Sequence, residues 1–458
     1  MKPSYYNTFL PYKGEYILYN TLYDSVAFVD SEMKEALESG KCETLPEEVF
    51  SLMKTKKFLV DDDFDEITVL RTERKFYHCV SSSDCLNLEL IMTYACNLAC
   101  PYCFEVLAKD HHESMNSTAA DILLTFIDRE TQKENYKRKV NILFFGGEPM
   151  VNWSGCRYVL EQLSACYSHI TYAAQIITNG TILTDSMIED IQNYTITKVD
   201  IPFDGAREDH NKRRIMHDGS GTYDMIMENA IRLIDAGINL VIKVNVDRDN
   251  YTRIQELFED LTSHGLGKVP LGISQILYPK LTPTTGPDYC MRMEDLPVIM
   301  PHVWSLAEKW GFGSSRKPRK VSATCMISDF SSYVIDPLLD VYKCSEFVGL
   351  KEHTAGRITK DGIFEPNDFY YSMMARDPTY LEKCSACVLL PVCSSSACAA
   401  LSYGVSRNYF EPQCYIEKAL FEEMIRWHAE NLETGHKDRN REHKSQGRDI
   451  MHGGDNQC

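Results

Sequence analysis

Between residues 86 and 309 the chain repeats one pattern. A short apolar run gives way to a polar break, then to a stretch whose apolar residues recur every three or four positions. The apolar runs predict strands over 88–92, 140–145, 173–178, 198–203, 240–246 and 271–277. The stretches between and after them predict amphipathic helices over 119–129, 157–165, 186–193, 223–236, 253–263 and 296–309. Six such units imply an α/β fold with a parallel sheet and helices outside. Right-handed crossovers would wrap it into a partial (β/α)6 barrel of TIM type, spanning residues 85–310. Its functional face would be the C-terminal ends of the strands, where the loops lie.

Residues 1–80 read as a separate, small α+β unit. Strands are expected over 16–19 and 26–29, joined by a turn around Tyr23-Asp24-Ser25. Asp30 or Ser31 would cap a helix over 32–38, and a second helix covers 47–54. Residues 57–60 run into the acidic stretch 61–66, read as a turn or wing, so the order of elements suits a winged-helix-like module. A structural cap for the barrel is the other reading. Beyond 310 the alternation stops, and residues 311–432 are cysteine-rich and end in a helix over 416–431. Residues 433–458 hold almost no apolar side chains and are expected to be disordered.

Charge narrows the function classes. Lys and Arg number 48 against 66 Asp and Glu, a net charge of −18, which argues against nucleic-acid binding through phosphate contacts. No apolar run reaches the roughly 18 residues of a membrane helix, and residues 1–12 lack the features of a secretory signal. A cytoplasmic chain with no membrane partner is therefore expected. In such a chain the 17 cysteines point to metal or redox chemistry rather than disulfides.

Ten of those cysteines fall into two groups, while Cys42, Cys79, Cys85, Cys156, Cys166, Cys290 and Cys458 are scattered and read as small buried apolar residues. Cys96, Cys100 and Cys103 follow the first barrel strand. Three thiolates cannot complete a four-ligand zinc site unaided, but they can hold three irons of a [4Fe–4S] cluster and leave the fourth open. A zinc knuckle with a distant fourth ligand remains the alternative. After the second strand, Gly146-Gly147-Glu148-Pro149 offers close backbone approach to a ligand and a carboxylate for an ammonium group. An ordinary glycine-rich turn is the plainer reading. The second group is Cys384, Cys387, Cys393, Cys398 and Cys414, with Cys325 and Cys344 upstream. One zinc ribbon would use four of these seven, so two further iron–sulfur clusters fit better.

The pattern resembles the radical S-adenosylmethionine (radical SAM) superfamily. Its C-x3-C-x-aromatic-C hallmark is matched by Cys96, Cys100, Tyr102 and Cys103, and its Gly-Gly-Glu-Pro turn by residues 146–149. The resemblance implies a [4Fe–4S] cluster whose open iron is chelated by S-adenosylmethionine. It also implies an external low-potential electron donor of flavodoxin or ferredoxin type and a 5′-deoxyadenosyl radical that takes a hydrogen atom from substrate. By resemblance the cofactor contacts are Tyr102, Gly146, Gly147, Glu148, Thr178, Asn179, Asp204 and Arg214, with Arg214 pairing the cofactor carboxylate. The stretch from Asp200 to Arg214 resembles the S-x-D-G … H-D-x-x-R segment of the peptide-modifying branch. It departs at Pro202 and Asn211, and His210 is open between a site role and a loop or capping role.

The second group resembles the SPASM extension of such enzymes. By resemblance Cys384, Cys387, Cys393 and Cys414 hold an outer auxiliary [4Fe–4S] cluster, and Cys325, Cys344 and Cys398 contribute to an inner one. The x4 spacing before Cys398 is one residue long, and Leu339 stands where a glycine is usual. Either Cys290 is the inner cluster's fourth ligand, or its open iron binds a substrate thiolate. The expected function is thioether crosslinking of a ribosomally made precursor peptide whose leader binds the N-terminal unit by strand addition. Formylglycine formation in sulfatases, peptide epimerisation and carbon–carbon crosslinking are alternatives. A zinc-binding interaction protein is the non-enzyme alternative. No general base stands out: Asp336, Asp340 and Glu346 flank Cys344, but carboxylates beside a loop also serve as solvated or capping groups.

Overall fold

The computed structural model describes residues 1–103, 111–133, 139–282, 286–313, 316–321, 325–393, 398–414 and 416–433, with backbone alone at 78–83 and 417. The expected tail, beyond residue 433, lies outside them. The N-terminal unit contains β1 (Lys2–Pro3), β2 (Asn7–Tyr12), β3 (Glu15–Asn20), β4 (Ser25–Val29) and β5 (Leu59–Val60). β2, β3 and β4 form an antiparallel sheet, and β1 pairs with β5. Asp30 caps the helix Ser31–Glu38 by accepting from the Met33 N–H, and a second helix spans Glu47–Thr55. Two features differ from the sequence expectation. β2 is a third strand, missed because Pro11 interrupts its pattern. The acidic stretch holds the expected turn at residues 62–63, but its last residue, Glu66, already opens a helix running to Asp84, whose first turn favours acidic side chains.

The barrel strands are β6 (Cys85–Ile91), β7 (Lys139–Phe145), β8 (Tyr172–Ile177), β9 (Ile196–Phe203), β10 (Leu240–Val246) and β11 (Leu271–Gln275). They pair in parallel in that order, so the six expected units are present, with ends shifted by up to three residues. Alternate residues such as Leu88, Ile142, Ile176, Ile201 and Ile242 enter the core under the helices. The sheet continues past its first strand. β12 (Ser332–Ile335) joins β6 in parallel, followed by antiparallel β13 (Asp340–Tyr342), β14 (Gly356–Ile358) and β15 (Phe364–Pro366). Leu339 occupies the β12–β13 turn at φ +66°, the left-handed region that explains why glycine suits that position.

The last helix, Ile416–Glu433, ties the molecule together. Its Phe421, Ile425 and Ala429 pack on Tyr12, Ile17 and Tyr19 of the N-terminal sheet, while Trp427 meets Trp304 of the barrel helix Leu296–Lys309 at 6.0 Å. Each fully buried apolar side chain there contributes about 1.5–3 kcal/mol. The N-terminal unit also grips the cysteine-rich region directly. Tyr5 Oη donates to Ala386 O (2.7 Å), Thr21 Oγ1 to Val388 O (2.5 Å) and Arg74 Nη2 to Leu390 O (3.0 Å).

Candidate active site at the strand ends

The three cysteines leave the C-terminal end of β6 in a loop held by its neighbours. The Gly147 N–H donates to Thr93 O (2.9 Å) and the Glu148 N–H to Ala95 O (3.0 Å). A Cβ on Gly147 would sit 2.5 Å from Ala95 O and 2.6 Å from Tyr94 O, and one on Gly146 would sit 2.5 Å from Thr93 O. The close approach that the two glycines allow is thus to the cysteine loop itself. Glu148, 1% exposed, accepts from the Met150 N–H (2.9 Å), Thr178 Oγ1 (2.7 Å) and the Asn179 N–H (2.6 Å). Burial raises its carboxyl pKa, and those three donors oppose the shift. Glu148 therefore ties the end of β7 to the end of β8.

Asn179 reaches onward, donating to Asn97 Oδ1 (2.8 Å) and approaching Cys96 Sγ at 3.9 Å. The Leu98 N–H also points at Cys96 Sγ (3.4 Å). Such donors favour a thiolate, the form that binds metal. Tyr102, between the second and third cysteines, donates to Asp204 Oδ2 at the end of β9 and accepts from Arg214 Nη1 (2.8 Å). Asp204 also receives Asn245 Nδ2 from β10 (2.8 Å). Burial drives the Tyr102 pKa well above its ordinary value, with Arg214 opposing and Asp204 reinforcing. For the Arg214 guanidinium, burial opposes the charge, but the oxygens of Tyr102 and Asp204 outweigh it.

His210 proves to be a fully buried support. Its Nδ1 accepts from the Asp204 N–H (3.2 Å), and Nε2 faces Thr222 Oγ1 (3.1 Å), which donates to Arg214 O (2.8 Å). That arrangement fits a neutral ring protonated at Nε2, and burial, then Arg214, depresses the pKa well below the usual value. Asn211 Oδ1 accepts from the Thr222 and Tyr223 N–H groups, both 2.9 Å. Its carbonyl thus serves as an acceptor where an aspartate was expected.

This site fits the implied cofactor on two counts. Three thiols share one loop, and Arg214 Nε is buried without a partner among the described residues, leaving a donor for an anionic group. Sequence reasoning missed Asn97, Thr222 and Asn245. Asn245 was findable, since it sits at a barrel strand's C-terminal end.

The second cysteine group divides in two. Burial pushes the Cys344 thiol pKa well up, and the neighbours adding to that shift are Cys325, Cys398 and Glu346, with the Lys280 ammonium opposing. Burial raises Cys384 to about 11, reinforced by Cys387 and Cys414. Arg74 interacts with both Cys393 and Cys384. Cys290 lies elsewhere: burial raises it to about 11 beside Asp247, with Arg213 opposing. Those two form a buried ion pair below the end of β10. Among the described residues no three His, Cys, Asp or Glu side chains converge on a single metal-ion position. Asp336 accepts from Tyr94 Oη (2.8 Å), Asp340 pairs with Arg357 (3.9 Å) and Glu346 pairs with Lys280 (3.5 Å), so all three flanking carboxylates are engaged.

Residues 90–261 match the radical SAM superfamily. The radical SAM cyclopropyl synthase TigE of Paramaledivibacter caminithermalis is 21% identical over 260 residues, 50% of this chain and 53% of TigE, so the chain matches about half that relative's length. Among solved structures, anSMEcpe with bound AdoMet and Cp18Cys peptide superposes with a TM-score of 0.58 at 16% identity, covering 76% of this chain and 99% of that one. Streptococcus suis SuiB bound to precursor peptide SuiA gives 0.52 at 17%, covering 91% and 99%. Both likenesses concern the fold. No helix among the described residues is long and apolar enough to cross a membrane. With the family match falling on the same barrel that carries the cysteine loop, residues 90–261 form a radical SAM domain.

Proposed function

We propose that this enzyme is a peptide maturase that installs thioether crosslinks, cysteine sulfur to carbon, in a ribosomally synthesised precursor peptide. One observation carries the reading: Cys344 has both Cys325 and Cys398 as neighbours, while Cys290, the candidate fourth thiol, lies beside Asp247 and Arg213. Three thiols leave one iron of a [4Fe–4S] cluster open, and a substrate cysteine is the natural ligand for it. Peptides in the anSMEcpe and SuiB structures support the substrate class.

Cys96, Cys100 and Cys103 would hold the cluster that binds S-adenosylmethionine, and Cys384, Cys387, Cys393 and Cys414 the outer auxiliary one. When bound, these groups supply a 5′-deoxyadenosyl radical and a sink for the surplus electron. The chain's own residues orient and enclose. Arg214 Nε offers a donor to the cofactor carboxylate, Tyr102 and Asp204 fix that guanidinium, and Glu148 locks the strand ends beneath. The leader would add a strand to an edge of the sheet β2–β3–β4, with β4 the better edge because Pro11 removes a donor from β2. An external flavodoxin- or ferredoxin-type donor and a cytoplasmic location complete the proposal.

Coexpression with cysteine-containing precursor peptides tests it. The expected product has lost two hydrogens and its cysteine no longer reacts with a thiol alkylator. A product with a free thiol, a formylglycine, or an inverted centre without mass change would overturn the thioether assignment.

A further inference from the structure

β6 presents its residues to two environments. Leu86, Leu88 and Leu90 enter the core under the helices, so Asn87, Glu89 and Ile91 face the concave side of the sheet. On that side Glu89, Leu143, Gln175, Lys243 and Asn245 are half-buried while Ile91 and Asp200 are buried, so packing fills it only in part. Register puts Glu89 level with Leu143 of β7 and Val334 of β12, two residues before the end of β6 and four before Thr93 opens the cysteine loop.

The carboxylates of this face differ in their company. Asp200 pairs with Lys198 (3.2 Å) and Lys243 (3.7 Å). Glu346 pairs with Lys280, and Asp336 is held by Tyr94. Glu89 has no cationic partner among the described residues. Its carboxyl meets the hydroxyl of Ser345, the residue directly after Cys344. Lys343, also adjacent, is committed to the carbonyls of Asp329 and Ser332. Glu89 therefore stands half-buried on the concave surface, four residues before the cofactor loop and beside the residue that follows Cys344. Burial raises its pKa to about 7, opposed by the Ser345 contact. A desolvated carboxyl that makes no ion pair destabilises the fold, and one that also titrates near neutrality suits proton transfer.

We propose that Glu89 is the proton acceptor for the reacting peptide side chain, taking the S–H proton of the substrate cysteine. This rests on the thioether reading. The S–H bond breaks, an O–H bond forms on the Glu89 carboxylate, and the electron pair stays on sulfur. No oxidant is required, and the thiolate that results is the form that ligates iron.

The test uses the full-length, cluster-loaded enzyme with a cysteine-containing peptide, comparing Glu89→Gln and Glu89→Asp. Iron per chain and affinity for S-adenosylmethionine report whether each variant is assembled, and both are expected unchanged. Crosslinking by Glu89→Gln is expected to fall about 100-fold, with Glu89→Asp largely restoring it. The wild-type rate should rise with pH through about 7, as the carboxylate forms, and Glu89→Gln should lose that limb. Full-rate crosslinking by Glu89→Gln with the limb intact overturns the proposal. So does loss of iron in both variants, which would make Glu89 structural. Failure of the thioether reading looks different: wild type would then give a product retaining its free thiol.

Discussion

Gly147→Ala is the sharpest probe of how the cofactor loop is built. The added methyl carbon would lie 2.5 Å from Ala95 O and 2.6 Å from Tyr94 O, whereas ordinary contact begins at 3.4 Å. Both obstacles are backbone, so no side chain can swing aside, and the loop must retreat by about 0.9 Å. That movement stretches two hydrogen bonds, from Gly147 N–H to Thr93 O and from Glu148 N–H to Ala95 O, past useful length. Their loss costs about 1 kcal/mol each. Cys96 follows Ala95 directly, so the displacement reaches the first thiol, and misplacement on the order of 1 Å costs about 100-fold in rate. The assay is reductive cleavage of S-adenosylmethionine to 5′-deoxyadenosine, together with iron per chain, in protein purified anaerobically. Gly313→Ala serves as control, since its methyl would meet only Glu308, at 3.4 Å and beyond. If Gly147→Ala matched that control in both rate and iron, the reasoning from close approach would be wrong.

Three further outcomes follow from the same geometry. Arg214→Lys keeps the charge but loses the guanidinium that bonds Tyr102 and offers its Nε. The KM for S-adenosylmethionine should rise about 30-fold, equivalent to about 2 kcal/mol, in initial-rate measurements. His210 is buried with its pKa depressed, so the unfolded chain takes up a proton below about 6.5 that the folded chain refuses. Wild-type stability should therefore fall by up to about 1.4 kcal/mol per pH unit below that point, and thermal melts of His210→Gln should show a shallower decline. Cys290→Ala should leave iron per chain unchanged, whereas Cys344→Ala should lower it; equal losses would return Cys290 to the inner cluster's ligand set.

How much of this was legible in the sequence depended on whether a residue's partners lay nearby in the chain. The barrel strands were readable because burial under helices acts on each strand separately: Leu240–Val246 carries its own alternation, and its bounds match the expectation. Cys96, Cys100 and Cys103 were readable because eight residues contain all three. β12–β15 were not, since β12 owes its place to pairing with β6, about 245 residues earlier, and nothing within 332–335 encodes that partner. The same limit hid the character of individual groups. His210 has the composition of a site residue, yet its ring serves Asp204 and Thr222, a support role that appears only when β9 and its following helix are folded together. Glu89 shows the reverse. Within Leu86–Ile91 it is one polar position in an alternating strand, indistinguishable from Asn87. What sets it apart is that Lys198 and Lys243 go to Asp200 and Lys280 goes to Glu346, leaving this carboxyl beside Ser345 without a countercharge among the described residues. A residue's chemistry in this barrel is thus decided as much by where the cations are spent as by the residue itself.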